Sequence, residues 1–400
     1  MKTGDPATGD WLGPWAPYEG EELLAGANKM TDEQSEILTK IEEKRRKKKA
    51  EEEVEDENVA TSTIFHGKEN KDFMGRSFIL PSAEMKYRPD QTCYIPKKHV
   101  HTFSGHKKGV VVAKFFPLYG HFILSGSFDT TVKLWDVYKG KNCVRTYMGH
   151  KEIIKDICFT NDGLHFLSAS YDNKVIYWDT ETGQSVQIFD IKKHPYCVKF
   201  HPDNDRQHSF LCGSAHKKVG QYDVRSGSKT QTYDEHLGPV NSVVFVDNNK
   251  KFASTSDDKK VFLWEFGIPV VVKHVSDPDQ LAISQTALHP NGKYFVGQAS
   301  DNKINCYDAK GGSLRLNKKK RFVGHMSAGY AIGLTCSPDG QFIASGDHDG
   351  RVFFFDWKST KTFSVINAHN KVCIGVDWHP NEQSTVLTCS WDGTIKMWSS

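Results

Sequence analysis

Residues 122–136 read Phe122-Ile123-Leu124-Ser125-Gly126-Ser127-Phe128-Asp129-Thr130-Thr131-Val132-Lys133-Leu134-Trp135-Asp136. Two short runs rich in β-branched and aromatic residues flank a turn at Asp129, so the stretch reads as strand, tight turn, strand. The same pattern returns at 166–178, 252–264, 342–355 and 386–398. Asn161-Asp162-Gly163, Pro290-Asn291-Gly292 and Pro338-Asp339-Gly340 mark the turn that precedes three of these units.

Outward from this unit, an aromatic residue followed by an acidic one recurs at Trp135-Asp136, Trp178-Asp179, Tyr222-Asp223, Trp264-Glu265, Tyr307-Asp308 and Phe355-Asp356, and the series ends at Trp398-Ser399. Successive members are 42 to 48 residues apart, and a histidine (His106, His150, His194, His236, His325 or His369) precedes six of them by 28 to 30 residues. That period and signature belong to the WD40 repeat, here present seven times. The predicted fold is all-β, a seven-bladed propeller over about 92–400. The chain stops two residues after Trp398, which leaves the last blade without an outer strand of its own. His99-Val100-His101-Thr102-Phe103, ahead of the first repeat, is the strand expected to close the ring and remove its open edges.

Four repeats carry a full set of His, Ser or Thr, Asp and Trp. The sets are His106, Ser125, Asp129 and Trp135; His150, Ser168, Asp172 and Trp178; His236, Ser254, Asp258 and Trp264; and His369, Thr388, Asp392 and Trp398. An Asp–His–Ser chain is also the wiring of a serine hydrolase. A set that recurs blade after blade and ends on a tryptophan instead reads as a structural network, in which an imidazole bonded at both nitrogens locks the turns. The third repeat has His216 in place of the aspartate and Tyr222 in place of the tryptophan. The fifth has Ala299 and Tyr307 and no Gly-His. Those two blades are expected to be the softer part of the ring.

No phosphate-binding loop, Gly-x-Ser-x-Gly elbow or His-Glu-x-x-His is present, so no catalytic, metal or cofactor site is expected. Nine cysteines, with no Cys-x-x-Cys pair, argue for a reducing compartment over a disulfide framework. With a mean hydropathy of −0.54, no apolar run long enough to span a membrane and no apolar signal core after Met1, a membrane role is not expected. The net charge of +3 is too small to decide by itself for or against nucleic acid.

The N-terminal region divides into a Gly/Pro/aromatic arm over 1–30, a charged helix over 31–57 and an extended connector over 58–91. Trp11, Trp15 and Tyr18 lie among Gly and Pro and cannot form a core alone; they read as a linear motif that docks on a partner, or folds back on the ring. The helix starts at Thr31-Asp32-Glu33-Gln34 and holds a basic run over 44–49, followed by an acidic run over 51–57. The basic run is either a solvated helix face or a nuclear import signal, and the two are compatible. Ile64-Phe65 and residues 73–80 hint at a segment that folds on a partner.

Lysines crowd the turns expected on one face of the disc, among them Lys217, Lys218, Lys259 and Lys260. An insertion over 311–321 between blades 5 and 6 adds Lys318, Lys319, Lys320 and Arg321. These residues are either ordinary exposed turn lysines or a basic face for an RNA backbone or an acidic partner. Without interleaved aromatics, any RNA contact is expected to ignore base sequence.

Several segments outside the repeat signature carry a closer resemblance. They are 11–16 (Trp-Leu-Gly-Pro-Trp-Ala), 95–98 (Ile-Pro-Lys-Lys), 195–200 (Pro-Tyr-Cys-Val-Lys-Phe), 236–238 (His-Leu-Gly), 316–320 (Leu-Asn-Lys-Lys-Lys), 371–375 (Lys-Val-Cys-Ile-Gly) and 378–380 (Trp-His-Pro). In these the chain resembles the pre-mRNA-processing factor 17 family of spliceosomal WD40 proteins, over nearly its whole length from Trp11. The resemblance implies a nuclear, non-enzymatic scaffold that stabilises the remodelled catalytic core for the second step of splicing, exon ligation. It also implies spliceosomal proteins and small nuclear ribonucleoproteins as partners, with sequence-independent contact to snRNA or pre-mRNA backbone. Family members usually carry a longer N-terminal extension, so a truncated or shortened start is expected. Two other classes use the same fold. A ubiquitin-ligase substrate receptor needs an adaptor-binding element, which the arm does not show. A propeller enzyme needs polar residues converging on the central channel.

Overall fold

The computed structural model describes residues 61–67, 77–81, 85–88, 91–278 and 280–400. The expected docking motif (Trp11, Trp15, Tyr18) and the charged helix over 31–57 lie outside the described residues.

Seven antiparallel sheets form the blades of a propeller, each running from an inner strand outward in chain order. Blade 1 covers 110–148, blade 2 154–190, blade 3 195–233, blade 4 240–275, blade 5 283–323, blade 6 334–367 and blade 7 373–399. The second strand of each blade has neighbouring blades on both faces, and its composition follows from that. Phe122–Ser127 and Val386–Ser390 are buried at every position and mix large apolar residues with Ser, Gly and Thr. Outer strands such as Ser185–Asp190 alternate between solvent and interior. All nine cysteines are free thiols.

The turn between the second and third strands has left-handed backbone at the same place in all seven blades. The residues are Thr130, Asn173, Lys217, Lys259, Asn302, Gly350 and Gly393, with φ from 62° to 84°. Only two are glycine. In the other five the hairpin geometry holds a side chain in a conformation that costs it energy.

The ring closes as the sequence predicts. Lys98–Ser104 pairs antiparallel with Thr394–Ser399 as the fourth strand of blade 7, with His99 opposite Trp398 and Phe103 opposite Ile395. Phe103 is 1% exposed and packs edge-on to Trp135 of blade 1 at 5.8 Å, so the closing strand also joins the last blade to the first.

Two expectations about the flanking segments change. The connector folds on the chain itself: Ser62–Phe65 pairs with Cys143–Met148 as a fifth, outermost strand of blade 1. The Arg145 guanidinium lies 4.9 Å from the centre of the Phe65 ring and donates to the Thr182 and Glu181 carbonyls of blade 2. Ile79, 1% exposed, packs in the core shared by blades 1 and 2. An uncovered blade edge exposes a row of unpaired backbone groups, and this strand satisfies them. The second change concerns 311–321, which is no inter-blade loop. Arg315–Val323 is the outer strand of blade 5, with Asn305 opposite Arg321 and Tyr307 opposite Leu316. Residues 317–320 stand opposite Cys306 alone and bulge out of the ladder.

Candidate functional site

In blade 1, His106 Nδ1 lies 2.9 Å from Asp129 Oδ2 and Nε2 lies 2.8 Å from Ser125 Oγ, which also accepts the Trp135 indole N–H at 2.8 Å. The equivalent distances are 2.8, 2.7 and 2.9 Å in blade 2. They are 2.9, 2.7 and 2.8 Å in blade 4, and 2.9, 2.8 and 3.0 Å in blade 7. Because a carboxylate only accepts, the imidazole donates from Nδ1 and takes the hydroxyl proton at Nε2. Each hydroxyl is thereby used twice, and Ser125, Ser168 and Ser254 are 0% exposed. The aspartate does further structural work: Asp129 also accepts from the Lys107 N–H, the Thr131 N–H and the Thr131 hydroxyl.

The recurrence of histidine does not carry the network into every blade. His194 of blade 3 donates from Nδ1 to the Tyr171 carbonyl at 2.6 Å, and Cys212 stands at the serine position. His325 of blade 6 bonds Gln298 of blade 5 at 3.0 Å. Asp349 of blade 6 is instead occupied by His348 and Arg351, and Phe355 has no N–H to offer.

Titration follows from these contacts. Asp129, Asp172, Asp258 and Asp392 are held below the usual carboxylate range; burial opposes ionisation, but the bonds donated by the histidine and the turn outweigh it. Burial pushes His325 down to about 4. A histidine kept neutral in the fold takes up a proton on unfolding, so its contribution is lost as pH falls from 6.5 towards 4. The depressed aspartates contribute above 3.8, and that contribution is lost as pH falls further. Urea unfolding is therefore expected to show stability declining in two stages, gently below pH 6.5 and steeply below 3.8. A flat profile down to pH 3 would contradict both assignments.

Lys114, Lys155, Asp156 and Lys199, polar residues missed by the sequence reading, line a space of about 60 Å³ in the central channel, walled by inner strands. Asp377 of blade 7 accepts the Phe115 N–H at 2.9 Å and the Lys114 ammonium at 3.1 Å, which ties blade 7 to blade 1. Asp156 of blade 2 accepts the Val198 N–H of blade 3 at 3.0 Å. Lys155 and Lys199 also face the channel. Burial holds Lys155 below the usual range; for Lys199 burial acts the same way, but the Asp156 charge outweighs it and the ammonium sits above that range.

The candidate basic residues fall into two groups. Lys217, Lys259 and Lys319 are exposed, and Lys260 and Arg321 are half-buried. Lys218 pairs with Asp234 at 3.3 Å and Lys318 with Asp277 at 2.8 Å, although Lys318 stays largely exposed. Lys320 turns inward, with its ammonium 4.0 Å over the Trp357 ring and donating to the Trp357 carbonyl at 2.8 Å. It serves packing between blades 5 and 6. Among the described residues no group of His, Cys, Asp and Glu could hold a metal ion, and no helix is long and apolar enough to cross a membrane.

The repeat family described as "WD domain, G-beta repeat" matches 97–136, 141–179, 227–265, 316–356 and 357–399. The inner strands of blades 3 and 5 fall between these matches. Over 393 residues the chain is 47% identical to pre-mRNA-processing factor 17 of mouse and of human, covering 97% of this chain and 67% of each relative. Against pre-mRNA-processing factor 17 of Saccharomyces cerevisiae it is 35% identical over 396 residues, covering 97% of this chain and 85% of the yeast protein.

Proposed function

The chain belongs to the pre-mRNA-processing factor 17 family of WD40 propellers, and from that premise we propose that it acts in the nucleus as a non-enzymatic scaffold of the spliceosome, stabilising the remodelled catalytic core for exon ligation. The observation that carries this reading is the extent of the likeness, which takes in 97% of the chain and so reaches well beyond the repeat positions. The geometry supports it. The Asp–His–Ser chains that imitate a hydrolase have hydroxyls that are buried and doubly bonded, so none can reach a substrate. Two adjoining spaces among the inner strands, of about 60 and 220 Å³, both lie below the ~300 Å³ at which small-molecule sites begin. Asp156 and Asp377 already hold neighbouring blades together.

In this reading the partners are spliceosomal proteins and small nuclear ribonucleoproteins, and Lys217, Lys259 and Lys319 offer contacts to acidic partners or RNA phosphates. The test is a tagged pull-down from nuclear extract, probed for the small nuclear RNAs U2, U5 and U6 and for the lariat intermediate. Recovery of all four is expected. A different stable assembly without them would overturn the reading and leave only the fold.

Charge reversal confined to Lys217, Lys259 and Lys319 is expected to reduce that recovery without shifting thermal unfolding, since exposed substitutions rarely change stability by more than about 0.5 kcal/mol. Undiminished recovery would make these lysines ordinary surface.

A further inference from the structure

The turn of blade 3 is free of the repeat network. His216 replaces the aspartate and is exposed, and His194 bonds the Tyr171 carbonyl of blade 2 where other blades bond a hydroxyl. The His194 carbonyl accepts the Ala215 N–H at 2.9 Å, and the Ile191 N–H donates to the Asn173 carbonyl at 2.9 Å. The loop over 191–194 is thereby seated between the turns of blades 2 and 3, which brings Lys192 and Lys193 beside Lys217 and Lys218. Lys192, Lys193 and Lys217 are exposed. Lys192 and Lys217 have left-handed backbone, with φ of 66° and 63°, a conformation that side chains rarely adopt. Lys229 of the outer strand stands close by: burial first, then the Lys218 and Lys192 charges, hold it below the usual range. Of these five, among the described residues, Lys218 alone has a carboxylate within ion-pair reach, Asp234 at 3.3 Å.

Rings that are separated in sequence border this cluster. The Tyr171 ring centre lies 5.2 Å from that of His194 and 6.1 Å from that of Tyr196. Tyr196 stands at the register shift between Pro195 and Cys197, where an inner-strand bulge turns it out of the ladder. Both tyrosines are half-buried and line the space of about 220 Å³ among the inner strands, with Lys155. Asp257 of blade 4, bonded by Asn241 at 2.6 Å, lines the same space and directs negative charge to the blade-3 side. Several uncompensated ammonium groups call for a ligand with negative charges spaced along a chain, and the rings call for flat faces. Single-stranded RNA offers both, and every base has a face to stack. A duplex keeps its bases stacked inside, away from Tyr171 and Tyr196, and an acidic peptide would satisfy the lysines alone. We infer that blades 2 and 3 bind single-stranded RNA, with bases stacked on Tyr171 and Tyr196 and phosphates on Lys192, Lys193 and Lys217.

This deepens the reading that Lys217 meets RNA phosphates. It is tested on the purified full chain alone, so its failure leaves the pull-down result, and the assembly reading, standing. Fluorescence anisotropy would compare a single-stranded RNA of about twelve nucleotides with its duplex and with an abasic strand of the same phosphate count. The base-bearing single strand is expected to bind about tenfold more tightly than either. Tyr171→Leu and Tyr196→Leu should each remove most of that difference while abasic binding is unchanged. Lys192→Gln, Lys193→Gln and Lys217→Gln together should weaken both strands and lower the slope of log affinity against log salt by about 2, at about 0.7 per phosphate contact. Lys358→Gln with Lys361→Gln, exposed on the turn between the third and fourth strands of blade 6, should change neither. If a tyrosine variant lowers the unfolding temperature, the abasic comparison on the native chain and the lysine variant carry the test. Equal binding of base-bearing and abasic strands, equal binding of the duplex, or a salt slope that the lysine variant leaves unchanged would overturn the inference. A twelve-residue polyglutamate that binds as tightly as the RNA and depends on the same lysines, where RNA binding ignores Tyr171→Leu, would overturn it in favour of an acidic protein partner.

Discussion

Asp129→Ala is expected to lower the unfolding free energy by about 3 to 5 kcal/mol, the cost of removing one partner from a buried, hydrogen-bonded pair. The side chain accepts from His106, from the Lys107 and Thr131 N–H groups and from the Thr131 hydroxyl. The His106 imidazole, itself buried, would then have a donor without a partner and no reason to keep the tautomer that bonds Ser125. Blade 3 supplies the internal control. His216 stands where the aspartate would be and is exposed, so His216→Ala should change stability by no more than about 0.5 kcal/mol. Trp135→Phe removes the bond to Ser125 and part of the buried indole, and should cost about 2 kcal/mol. Urea unfolding at neutral pH measures all three. Equal, small changes at Asp129 and His216 would mean that the tetrads decorate the turns without holding them.

The repeat was legible because its signals are local and periodic. A tryptophan or tyrosine follows its histidine at nearly constant distance, and the strand–turn–strand unit between them has its own composition. Closure was legible because His99-Val100-His101-Thr102-Phe103, ahead of the first repeat, is a strand with no blade of its own. What escaped the sequence depends on neighbours that lie far away along the chain. Asp156 and Asp377 look like ordinary polar positions until the adjoining blade presents the Val198 and Phe115 N–H groups. His194 and His325 keep the repeat spacing, yet they bond across blade boundaries because Cys212 and Phe355 offer them no tetrad. The basic run over 318–320 read as a free insertion, whereas only the ladder shows one lysine packed over Trp357 and its neighbours bulging from the outer strand of blade 5. The connector read as a partner-binding segment because exposed apolar residues cannot, from sequence, be assigned to an edge of the same chain.

Removing the closing strand is the second change expected to have a large effect. A chain beginning at 106 loses the ladder between Lys98–Ser104 and Thr394–Ser399, and with it the burial of Phe103 against Trp135. Loss of the Phe103 side chain alone is worth about 3 to 4 kcal/mol. The exposed edge of blade 7 adds a second penalty, since its unpaired backbone groups are free to join another chain. The shortened chain is therefore expected to aggregate or to unfold well below the temperature of the full chain. A chain beginning at 91 should keep the ring: it loses the added strand Ser62–Phe65, the contacts of Ile79 and the bonds of Lys86 and Arg88 with Asn381, but it keeps the ladder that closes blade 7. Adding a peptide of residues 91–105 to the chain that begins at 106 separates closure from any other role of the segment. If closure is what matters, the peptide should raise the unfolding temperature as its concentration rises, as a ligand that binds only the folded state must. If the chain beginning at 106 already unfolds at the same temperature as the one beginning at 91, the ring is held by its inter-blade cores and the tie between the two ends adds little.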